Sequence, residues 1–273
     1  MMAPYRANGS TVLVTGATDG IGKETARALA RNGARILVHG RDPRRTTATC
    51  EELRTGGAMA EPVVADLSSL SEVRALADEV RSRTDRLTVL VHNAGVFMKQ
   101  RQLSPDGFEL TFAVNHLAPF LLTALLRGLL TDSAPARVVT VSSVAHQRAR
   151  LEFDNLQGER SFDGYRAYAT SKLANVLFAF ELAARLRMDR VTSNALHPGV
   201  VTTKLLYEGF GTTGINPADG ARTSVFLASS PEVEGITGMY YENSRPARVA
   251  PAAEREELRE KLWTVSEQLT GLS

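Results

Sequence analysis

Short runs of Val, Ile and Leu alternate along the whole chain with longer amphipathic stretches. Seven runs are predicted as strands, namely Thr11–Thr15, Arg35–His39, Glu61–Ala65, Leu87–His92, Arg137–Ser142, Thr192–His197 and Gly238–Tyr241. Helical periodicity predicts helices at Ile21–Asn32, Ser69–Arg83, 105–130, 166–187 and Pro217–Ser229, and in the tail from Pro251. Strands this apolar need cover on both faces, which parallel sheets with crossover helices provide. The pattern predicts an α/β fold with a doubly wound parallel sheet of about seven strands.

Composition indicates the number of domains, the kind of partner and the redox compartment. The 273 residues are 43% hydrophobic and 23% charged, as in ordinary globular proteins, and no repeat or linker divides them, so we expect one domain over 1–273. The 32 basic and 30 acidic residues are interleaved and leave a net charge of +2, which does not indicate nucleic-acid binding. One cysteine, Cys50, excludes an internal disulfide framework and fits a reducing compartment.

Nothing in the sequence predicts an integral membrane segment. The longest apolar candidate, Leu117–Leu126, stops at Arg127, short of the roughly 18–20 residues that a span needs. The start, Met1–Arg6, has no apolar core after its charge and so does not resemble a secretory signal. We therefore expect a cytoplasmic protein.

The first predicted strand runs directly into a glycine-rich turn, Thr15–Gly22, which a helix follows. Glycines there let the backbone approach a pyrophosphate, and the helix N-terminus offers free N–H groups and a favourable dipole. Three glycines at this spacing are a weak motif alone, so an ordinary turn is the alternative. The position between strand and helix favours a Rossmann-type dinucleotide site. The contacts expected from the turn are Gly16, Thr18, Asp19, Gly20, Ile21 and Gly22.

The end of the second strand bears on which dinucleotide is bound. NAD-binding sheets usually place an acidic residue about 20 residues past the glycines, where it accepts hydrogen bonds from the ribose 2′-hydroxyl. Here the strand ends in His39-Gly40-Arg41-Asp42, and no acid precedes Arg41. Arg41 can stack on adenine and neutralise a 2′-phosphate, so NADP(H) is favoured over NAD(H). Asp42 keeps NAD(H) open, and a solvated charge cluster is the structural alternative.

Two further strand ends point to the same crevice, because ligands of open α/β sheets gather at the carboxyl ends of strands. Asp66 and Leu67 follow the third strand, where a carboxylate can reach the adenine amine. Asn93, Ala94 and Gly95 follow the fourth strand, where small residues allow close packing against a cofactor. Each group taken singly is also a turn signal.

Tyr168 and Lys172 lie four residues apart near the start of a predicted helix, so they share one helix face. A phenol has an unperturbed pKa near 10, and a neighbouring cation favours the phenolate. Lowering that pKa to about 7 requires roughly 4 kcal/mol, which a lysine, a bound nicotinamide cation and exclusion of water can supply together. Tyr165 is a competitor without a lysine at the matching offset. A surface lysine beside a half-buried tyrosine is the structural alternative.

Two other polar residues are candidates for the same chemistry. The fifth strand ends in Ser142 and Ser143, and a hydroxyl there can donate to a substrate oxygen while the tyrosine exchanges its proton. Asn115 lies inside an otherwise apolar helix, where asparagine is intrinsically unfavoured. A functional role and a satisfied buried amide both remain open for Asn115.

The segment after the sixth strand begins with Pro198-Gly199, a turn that would lead the chain around a nicotinamide, although a purely structural turn competes. Cofactor contacts are expected from Pro198, Gly199, Val201 and Thr203. The region near 200–216 carries apolar residues among several glycines and can close over a substrate. These residues include Leu205, Leu206, Tyr207 and Phe210.

Other chemistries find little support. The five histidines show no metal-ligand spacing with cysteine or carboxylates, so no metal is predicted. A Ser-His-Asp hydrolase is disfavoured because no G-x-S-x-G elbow is present. A sugar-nucleotide epimerase or dehydratase would need a longer substrate domain.

Six ordered motifs together resemble the short-chain dehydrogenase/reductase family in its single-domain form. They are TGATDGIG at Thr15–Gly22, HNAG at His92–Gly95, VNH at Val114–His116, VSS at Val141–Ser143, YATSK at Tyr168–Lys172 and HPG at His197–Gly199. The resemblance implies that Tyr168 is the general acid/base and that Lys172 holds the nicotinamide ribose and lowers the tyrosine pKa. It also implies that Ser143 orients the substrate oxygen, that Asn115 positions a water in a proton relay, and that Asn93 and the glycine turn contact the cofactor.

A subgroup is indicated by the 25-residue separation of Ser143 and Tyr168, about a dozen residues wider than is common in the family. The insert near 146–165, with Phe153–Leu156, resembles retinol-dehydrogenase-like and WW-domain-oxidoreductase-like reductases. Those proteins often act on apolar alcohols and carbonyls.

The sequence therefore predicts an NADP(H)-dependent oxidoreductase that interconverts a carbonyl and an alcohol on an apolar small molecule. The two alternatives are a dinucleotide-binding regulator without turnover and an NAD-dependent alcohol dehydrogenase. Self-association through the two long apolar helices is expected to give a homodimer or homotetramer.

Overall fold

The computed structural model describes residues 9–272, except for the side chains of Glu208 and Phe210. The expectations placed on Met1–Arg6 and on the Phe210 side chain therefore lie outside the described residues.

Within residues 9–272, eight strands form a single sheet, one more than predicted. They are β1 (Thr11–Val14), β2 (Arg35–Gly40), β3 (Ala60–Val64), β4 (Val89–His92), β5 (Ala136–Val141), β6 (Val191–His197), β7 (Tyr240–Glu242) and β8 (Arg245–Pro246). The order across the sheet is β3-β2-β1-β4-β5-β6-β7-β8, with parallel pairing up to β7. The order reverses between β1 and β4, where an open α/β sheet offers a binding crevice. The predicted doubly wound α/β fold is confirmed.

Helices cover both faces of this sheet. They are α1 (Gly20–Arg31), α2 (Pro43–Thr55), α3 (Leu70–Arg83), α4 (Leu110–Phe112), α5 (Ala118–Asp132), α6 (Gly164–Arg185), α7 (Lys204–Phe210), α8 (Pro217–Ser229), α9 (Pro251–Glu254) and α10 (Glu256–Thr270). Helices α1, α2 and α8 contribute to the core on one face, and α3, α5 and α6 to the core on the other.

Strand β1 shows why the strands lack polar alternation. Leu13 packs into one core, and its neighbours Val12 and Val14 pack into the core on the opposite face. Because successive side chains of a strand point to opposite faces, a strand covered on both sides buries every position. This two-sided burial is the physical basis of the apolar runs in the sequence.

Helices α2 and α7 and strand β8 were absent from the expectations, since the region near 200–216 was expected as a substrate loop. Helix α2 begins with Asp42, whose side chain accepts a hydrogen bond from the Arg45 N–H at 3.0 Å, followed by Pro43 in the first turn. Asp-Pro is a helix-start signal that would have revealed it. Strand β8 pairs antiparallel with β7 through Asn243 and Ser244, both with positive φ. Two such residues form the type I′ turn that suits a tight hairpin.

The helical stretch Leu110–Asp132 runs from α4 through a π-helical turn, Ala113–Leu117, into α5. It is 23 residues long and apolar enough, by length and composition, to cross a membrane. The expectation that no apolar segment reaches a membrane-spanning length is therefore wrong, because a single charge at Arg127 does not end a helix of this composition. Of its apolar window, 72% is buried inside the fold, as in a core helix.

The C-terminal helix α10 packs beside α5 and α6. The Trp263 ring lies 4.8 Å from the Phe120 ring and stacks on Phe178 at 6.2 Å between centroids. The Arg185 guanidinium lies 4.3 Å from the centre of the Trp263 ring. The Ser266 hydroxyl is hydrogen-bonded to His116 at 2.8 Å. These contacts cover part of the surface of the two long helices with the chain's own C-terminal segment.

The insert near 146–165 contains a short 3₁₀ turn, Val144–Arg148, and then irregular backbone up to α6. Two side chains in the middle of the insert contact the rest of the chain. The Gln157 Oε1 accepts from the Glu109 N–H at 2.7 Å, and the Lys261 ammonium lies 4.3 Å from the Phe153 ring.

Candidate active site

The glycine-rich turn between β1 and α1 takes a conformation that side chains would block. Gly16 and Gly20 have φ of +64° and +51°, the left-handed region that favours glycine. A Cβ on Gly22 would lie 2.2 Å from the Gly16 carbonyl oxygen. The first-turn N–H groups of α1 emerge at this point, with the Gly20 N–H bonded to Asp19 at 2.8 Å. The turn thus fits the pyrophosphate of a dinucleotide.

Asn93 braces this turn from the end of β4. Its side-chain amide donates to the carbonyl oxygens of Thr15 and Gly16 at 2.9 and 3.1 Å. The backbone N–H groups of Asn93 and Ala94 both donate to the Thr15 hydroxyl. The Asn93 amide is therefore engaged in holding the glycine turn, a role that the strand-end argument did not anticipate.

His39, which the sequence analysis did not single out, is a second brace. Its Nδ1 accepts from the Gly16 N–H at 3.2 Å, so its Nε2 carries the proton and donates to the Ala65 carbonyl at 3.1 Å. Burial lowers the pKa of His39 to about 4, which keeps it neutral at pH 7. A lone histidine at the end of an apolar strand was the available signal.

The end of β2 carries the positive charge expected near the ribose. The Arg41 side chain is 78% exposed, and its Nη1 lies 3.8 Å from the Asp66 carboxylate. Asp42 is engaged as the cap of α2. A Cβ on Gly40 would lie 2.5 Å from side-chain atoms of Thr18 and Thr46, so an acidic side chain has no room at that position.

Asp66 and Leu67 lie on the turn after β3, as predicted from the strand pattern. The Asp66 Oδ1 accepts from the Ser68 N–H at 2.9 Å, and this bond fixes the turn. The Leu67 side chain is only 6% exposed and packs into the core. Because the Leu67 side chain is buried, only its backbone can face an adenine.

Tyr168 lies in the first turns of α6, with its side chain hydrogen-bonded to that of Ser143. Tyr168 is 8% exposed, and burial raises the pKa of its phenol to about 12, although the Ser143 hydrogen bond opposes the rise. The protein alone thus keeps Tyr168 protonated. The lowering expected from Lys172, a bound nicotinamide cation and exclusion of water together concerns the cofactor-bound state and stays a prediction.

The Lys172 side chain lies beside the Tyr168 ring and is hydrogen-bonded to the end of β5. Its ammonium lies 5.5 Å from the centre of the Tyr168 ring and donates to the Val141 carbonyl at 3.1 Å. The backbone carbonyl of Lys172 accepts from Ser142 at 2.7 Å, which fastens α6 to the end of β5. Burial lowers the pKa of Lys172 to about 8, so the group is mostly charged at pH 7.

Asn115 lies in the π-helical turn and is fully buried. Its Oδ1 accepts from the Val96 N–H at 2.8 Å, and its Nδ2 donates to the Val96 carbonyl and to Ser171, each at 3.0 Å. The amide donors are therefore satisfied within the protein. A Cβ on Gly95 would lie 3.3 Å from the Asn115 Oδ1 and 3.5 Å from the Lys172 Nζ, so these three residues meet behind the turn.

The turn after β6 approaches the glycine turn from the other side. Gly199 has a φ of +90°, and Val201 packs against Gly220 of α8, which lies close to Ile21. A Cβ on Gly20 would lie 3.1 Å from the Thr203 Cγ2. The structure thus brings the predicted positions 198–203 next to the N-terminus of α1.

An apolar wall lies beside Tyr168. The Phe97 ring is 5.7 Å from the Tyr168 ring, and Leu205 of α7 packs against the same cluster. Gly209 allows α7 to lie close to Phe97, since a Cβ there would be 3.0 Å from that ring. The Tyr168 ring therefore packs against apolar side chains, and α7 lies beside them.

A family model described as short chain dehydrogenase matches residues 10–210. The chain belongs to the short-chain dehydrogenase family. It is an NAD(P)-dependent dehydrogenase/reductase that acts on CH–OH groups, with a nicotinamide dinucleotide as cofactor.

Relatives of this dehydrogenase agree with that assignment. Human retinol dehydrogenase 14 is 42% identical over 300 residues, which cover 98% of this chain and 88% of the relative. A structure of an uncharacterised protein from Mycobacterium paratuberculosis has a TM-score of 0.84 at 34% identity, covering 98% of this chain and 96% of the other. The NADP complex of Pseudomonas aeruginosa RhlG has a TM-score of 0.73 at 27% identity, with 88% and 96% covered.

The tight packing at Gly22 leads to a test of the glycine turn. Gly22→Ala is expected to cost roughly 1–3 kcal/mol of stability and to weaken dinucleotide binding, because the new methyl must push away the Gly16 carbonyl. Gly128→Ala in α5 is the matched control, since its Cβ would meet open space. It is expected to stabilise the protein by about 0.5–1 kcal/mol. Urea denaturation measures the free energy of unfolding, and titration measures the dissociation constant for the dinucleotide. Equal changes of both quantities in Gly22→Ala and Gly128→Ala would contradict the packing argument.

Proposed function

We propose that this dehydrogenase is an NADP(H)-dependent oxidoreductase that interconverts a carbonyl and an alcohol on an apolar small molecule. The observation that carries the proposal is the Tyr168 side chain, hydrogen-bonded to Ser143 and packed against the apolar wall of Phe97 and Leu205. Burial raises the pKa of the phenol, which favours its protonated form at pH 7. A phenol in this state can donate a proton to a carbonyl oxygen. The retinol dehydrogenase relatives are named for an apolar alcohol, which supports the substrate class.

The proposed chemistry uses four side chains. A reduced nicotinamide dinucleotide supplies a hydride when bound. Tyr168 donates its proton to the substrate oxygen, and the Ser143 hydroxyl holds that oxygen. Lys172 provides positive charge behind the phenol ring, which favours the phenolate left after proton transfer. Asn115 positions the segment Gly95–Val96 that lines the site.

The proposed cofactor contacts extend along the crevice beyond strands β1, β2, β3, β4 and β6. They are Gly16, Thr18, Asp19, Gly20, Ile21, Gly22, Arg41, Asp66, Leu67, Asn93, Ala94, Gly95, Tyr168, Lys172, Pro198, Gly199, Val201 and Thr203. Region 200–216, with α7, is proposed to close over the substrate, and the insert near 146–165 to shape its entry.

The preference for NADP(H) over NAD(H) rests on the end of β2. Arg41 is exposed beside the turn, Asp42 is used as a helix cap, and Gly40 leaves no room for the acidic residue that a 2′-hydroxyl would require. RhlG of Pseudomonas aeruginosa holds NADP, which supports the same preference.

Arg41→Ala tests this preference. It is expected to raise the KM for NADPH about 10- to 100-fold, because charge-assisted hydrogen bonds to a phosphate are lost, while the KM for NADH changes little. Arg222→Ala in α8 is the control, since its side chain is equally exposed at 78%. Steady-state kinetics with both dinucleotides provide the measurement. Equal losses for NADPH and NADH would overturn the 2′-phosphate assignment.

The function itself is tested by a turnover screen of apolar ketones, aldehydes and alcohols with both dinucleotides, followed by nicotinamide absorbance. We expect turnover with NADPH and an apolar carbonyl. Binding of NADPH without turnover across the panel would favour a dinucleotide-binding regulator. Turnover confined to NAD with alcohols would favour the NAD-dependent alcohol dehydrogenase.

Compartment and assembly remain predictions. The single cysteine, Cys50, is buried and free, which supports a cytoplasmic location. A homodimer or homotetramer through the long helices is still expected from their apolar character, on the surface that α10 leaves uncovered.

A further inference from the structure

The side chain of His146 joins the loop that carries Ser143 to the C-terminal part of the chain. Its Nδ1 lies 2.7 Å from the Ser143 carbonyl oxygen, and its Nε2 lies 3.2 Å from the Ala250 backbone N–H. A carbonyl oxygen only accepts and a backbone N–H only donates. His146 must therefore be neutral, with the proton on Nδ1 and a lone pair on Nε2. We call this pair of hydrogen bonds the His146 clip.

The surroundings of the clip favour one fixed arrangement. His146 is fully buried, and burial lowers its pKa. Its ring lies 4.7 Å from that of Tyr240 in β7. Ala250 is 4% exposed and directly precedes α9. Gln147 adds a weaker link from the same turn, with its amide 3.4 Å from the Arg248 carbonyl.

Apart from His146, the turn that the clip holds buries one side chain, that of Ala145, which packs against α6. Ser143 begins a 3₁₀ turn whose next residue, Val144, is 42% exposed, and Gln147 and Arg148 are also exposed. Surface turns with few buried contacts open easily unless they are tied down. The His146 side chain supplies such a tie, three residues from the hydroxyl that contacts Tyr168.

We propose that His146 is a positioning residue for the reaction, which sets Ser143 against Tyr168 by tying the Ser143 carbonyl to the C-terminal segment at Ala250. Ala250 lies outside the stretch 10–210 that the family model matches. The C-terminal segment, anchored on α6 through Trp263, thereby takes part in ordering the active site. This inference rests on the proposed roles of Ser143 and Tyr168.

Three variants separate positioning from mere packing. His146→Phe keeps an aromatic ring against Tyr240 and removes both hydrogen bonds. His146→Asn places an amide N–H where Nδ1–H lay, and so restores the bond to Ser143 alone. Tyr240→Phe is the control, because the Tyr240 hydroxyl is buried with no hydrogen-bond partner among residues 9–272.

With the full-length protein well below its unfolding temperature, His146→Phe is expected to lower kcat about tenfold or more, with the KM for NADPH nearly unchanged. His146→Asn restores the bond to Ser143 but not the link to Ala250, so it is expected to lose kcat to a similar extent. Tyr240→Phe is expected to behave as the wild type. Wild-type kcat in His146→Phe, or nearly full recovery of kcat in His146→Asn, would overturn the proposal, because the link to Ala250 would then be dispensable.

Two nuclear magnetic resonance measurements test the clip without relying on turnover. Histidine ¹⁵N spectra should show His146 in the Nδ1–H tautomer, opposite to the Nε2–H tautomer of His39; an Nε2–H tautomer at His146 would contradict the clip. The ¹³Cζ resonance of Tyr168 should move in His146→Phe in the same direction as in Ser143→Ala. An unmoved Tyr168 resonance would overturn the proposed role of His146, whether or not the wild-type protein shows turnover. Absence of carbonyl turnover in the wild type would speak only against the proposed function.

Discussion

Tyr168→Phe is expected to lower kcat by about 10²–10⁴-fold, the range that a positioned general acid contributes. The phenyl ring still fills the space beside Phe97, so the fold and the glycine turn should be unaffected. The dissociation constant for NADPH should therefore stay within about twofold of the wild-type value, because the lost interaction acts in the transition state and not in cofactor binding. Single-turnover kinetics and fluorescence titration with NADPH provide the two measurements.

Tyr165→Phe is the matched control for this experiment. Tyr165 lies three residues earlier on the same helix and is 41% exposed. Its substitution should leave kcat nearly unchanged. Comparable losses in the two variants would contradict the assignment of the proton to Tyr168.

Lys172→Met is expected to lower kcat roughly 10²-fold and, at the same time, to stabilise the fold at pH 7. Burial lowers the pKa of Lys172 from 10.5 to about 8, so the folded state carries a charge that the unfolded chain holds at lower cost. The shift corresponds to about 3 kcal/mol, from which the lost hydrogen bond to Val141 subtracts about 1 kcal/mol. Asn175 also donates to that carbonyl, so the oxygen keeps a partner.

The pH dependence gives the sharper measurement for Lys172. Between about pH 8 and 10.5 the folded protein releases this proton while the unfolded chain retains it, so this group makes wild-type stability rise with pH through that window. Lys172→Met should lack the rise. In the wild type, reductive kcat should fall above about pH 8 as the ammonium is lost. Urea denaturation and kcat profiles from pH 7 to 10 test both, and identical stability profiles for the two proteins would contradict the assigned pKa shift.

Much of the fold followed from the sequence because two-sided burial leaves a clear pattern. The strands from β1 to β6 are apolar on both faces, and the helices between them other than α2 have regular periodicity, so their order was predictable. Strand β8 was not, since two residues carry no periodicity and pair only through the turn at Asn243-Ser244. Helix α2 has little apolar periodicity, and its start signal at Asp42 was interpreted as part of a charge cluster.

For the candidate site, the sequence indicated which residues gather but not what each one contacts. Asn93 was expected to contact a cofactor, but no strand pattern showed that its side-chain amide holds the glycine turn. A lowered phenol pKa was expected from Lys172 together with a bound nicotinamide cation; in the protein alone, burial raises the pKa of Tyr168. Spacing along a helix predicts that two side chains share one face, but it does not predict where their polar atoms point. The bonds of His39 and His146 depend on tertiary contacts that no local pattern records.

The double bracing of the glycine turn has a consequence for the kinetics of ligand association. Because Asn93 and His39 already hold the turn in its receptive shape, the entropy of ordering it is lost when the chain folds rather than when the dinucleotide arrives. The association rate of the dinucleotide should then be limited by its orientation on encounter and not by rearrangement of the glycine turn. Changes that alter affinity at this end of the crevice should accordingly appear in the residence time of the nucleotide, with its rate of capture nearly constant.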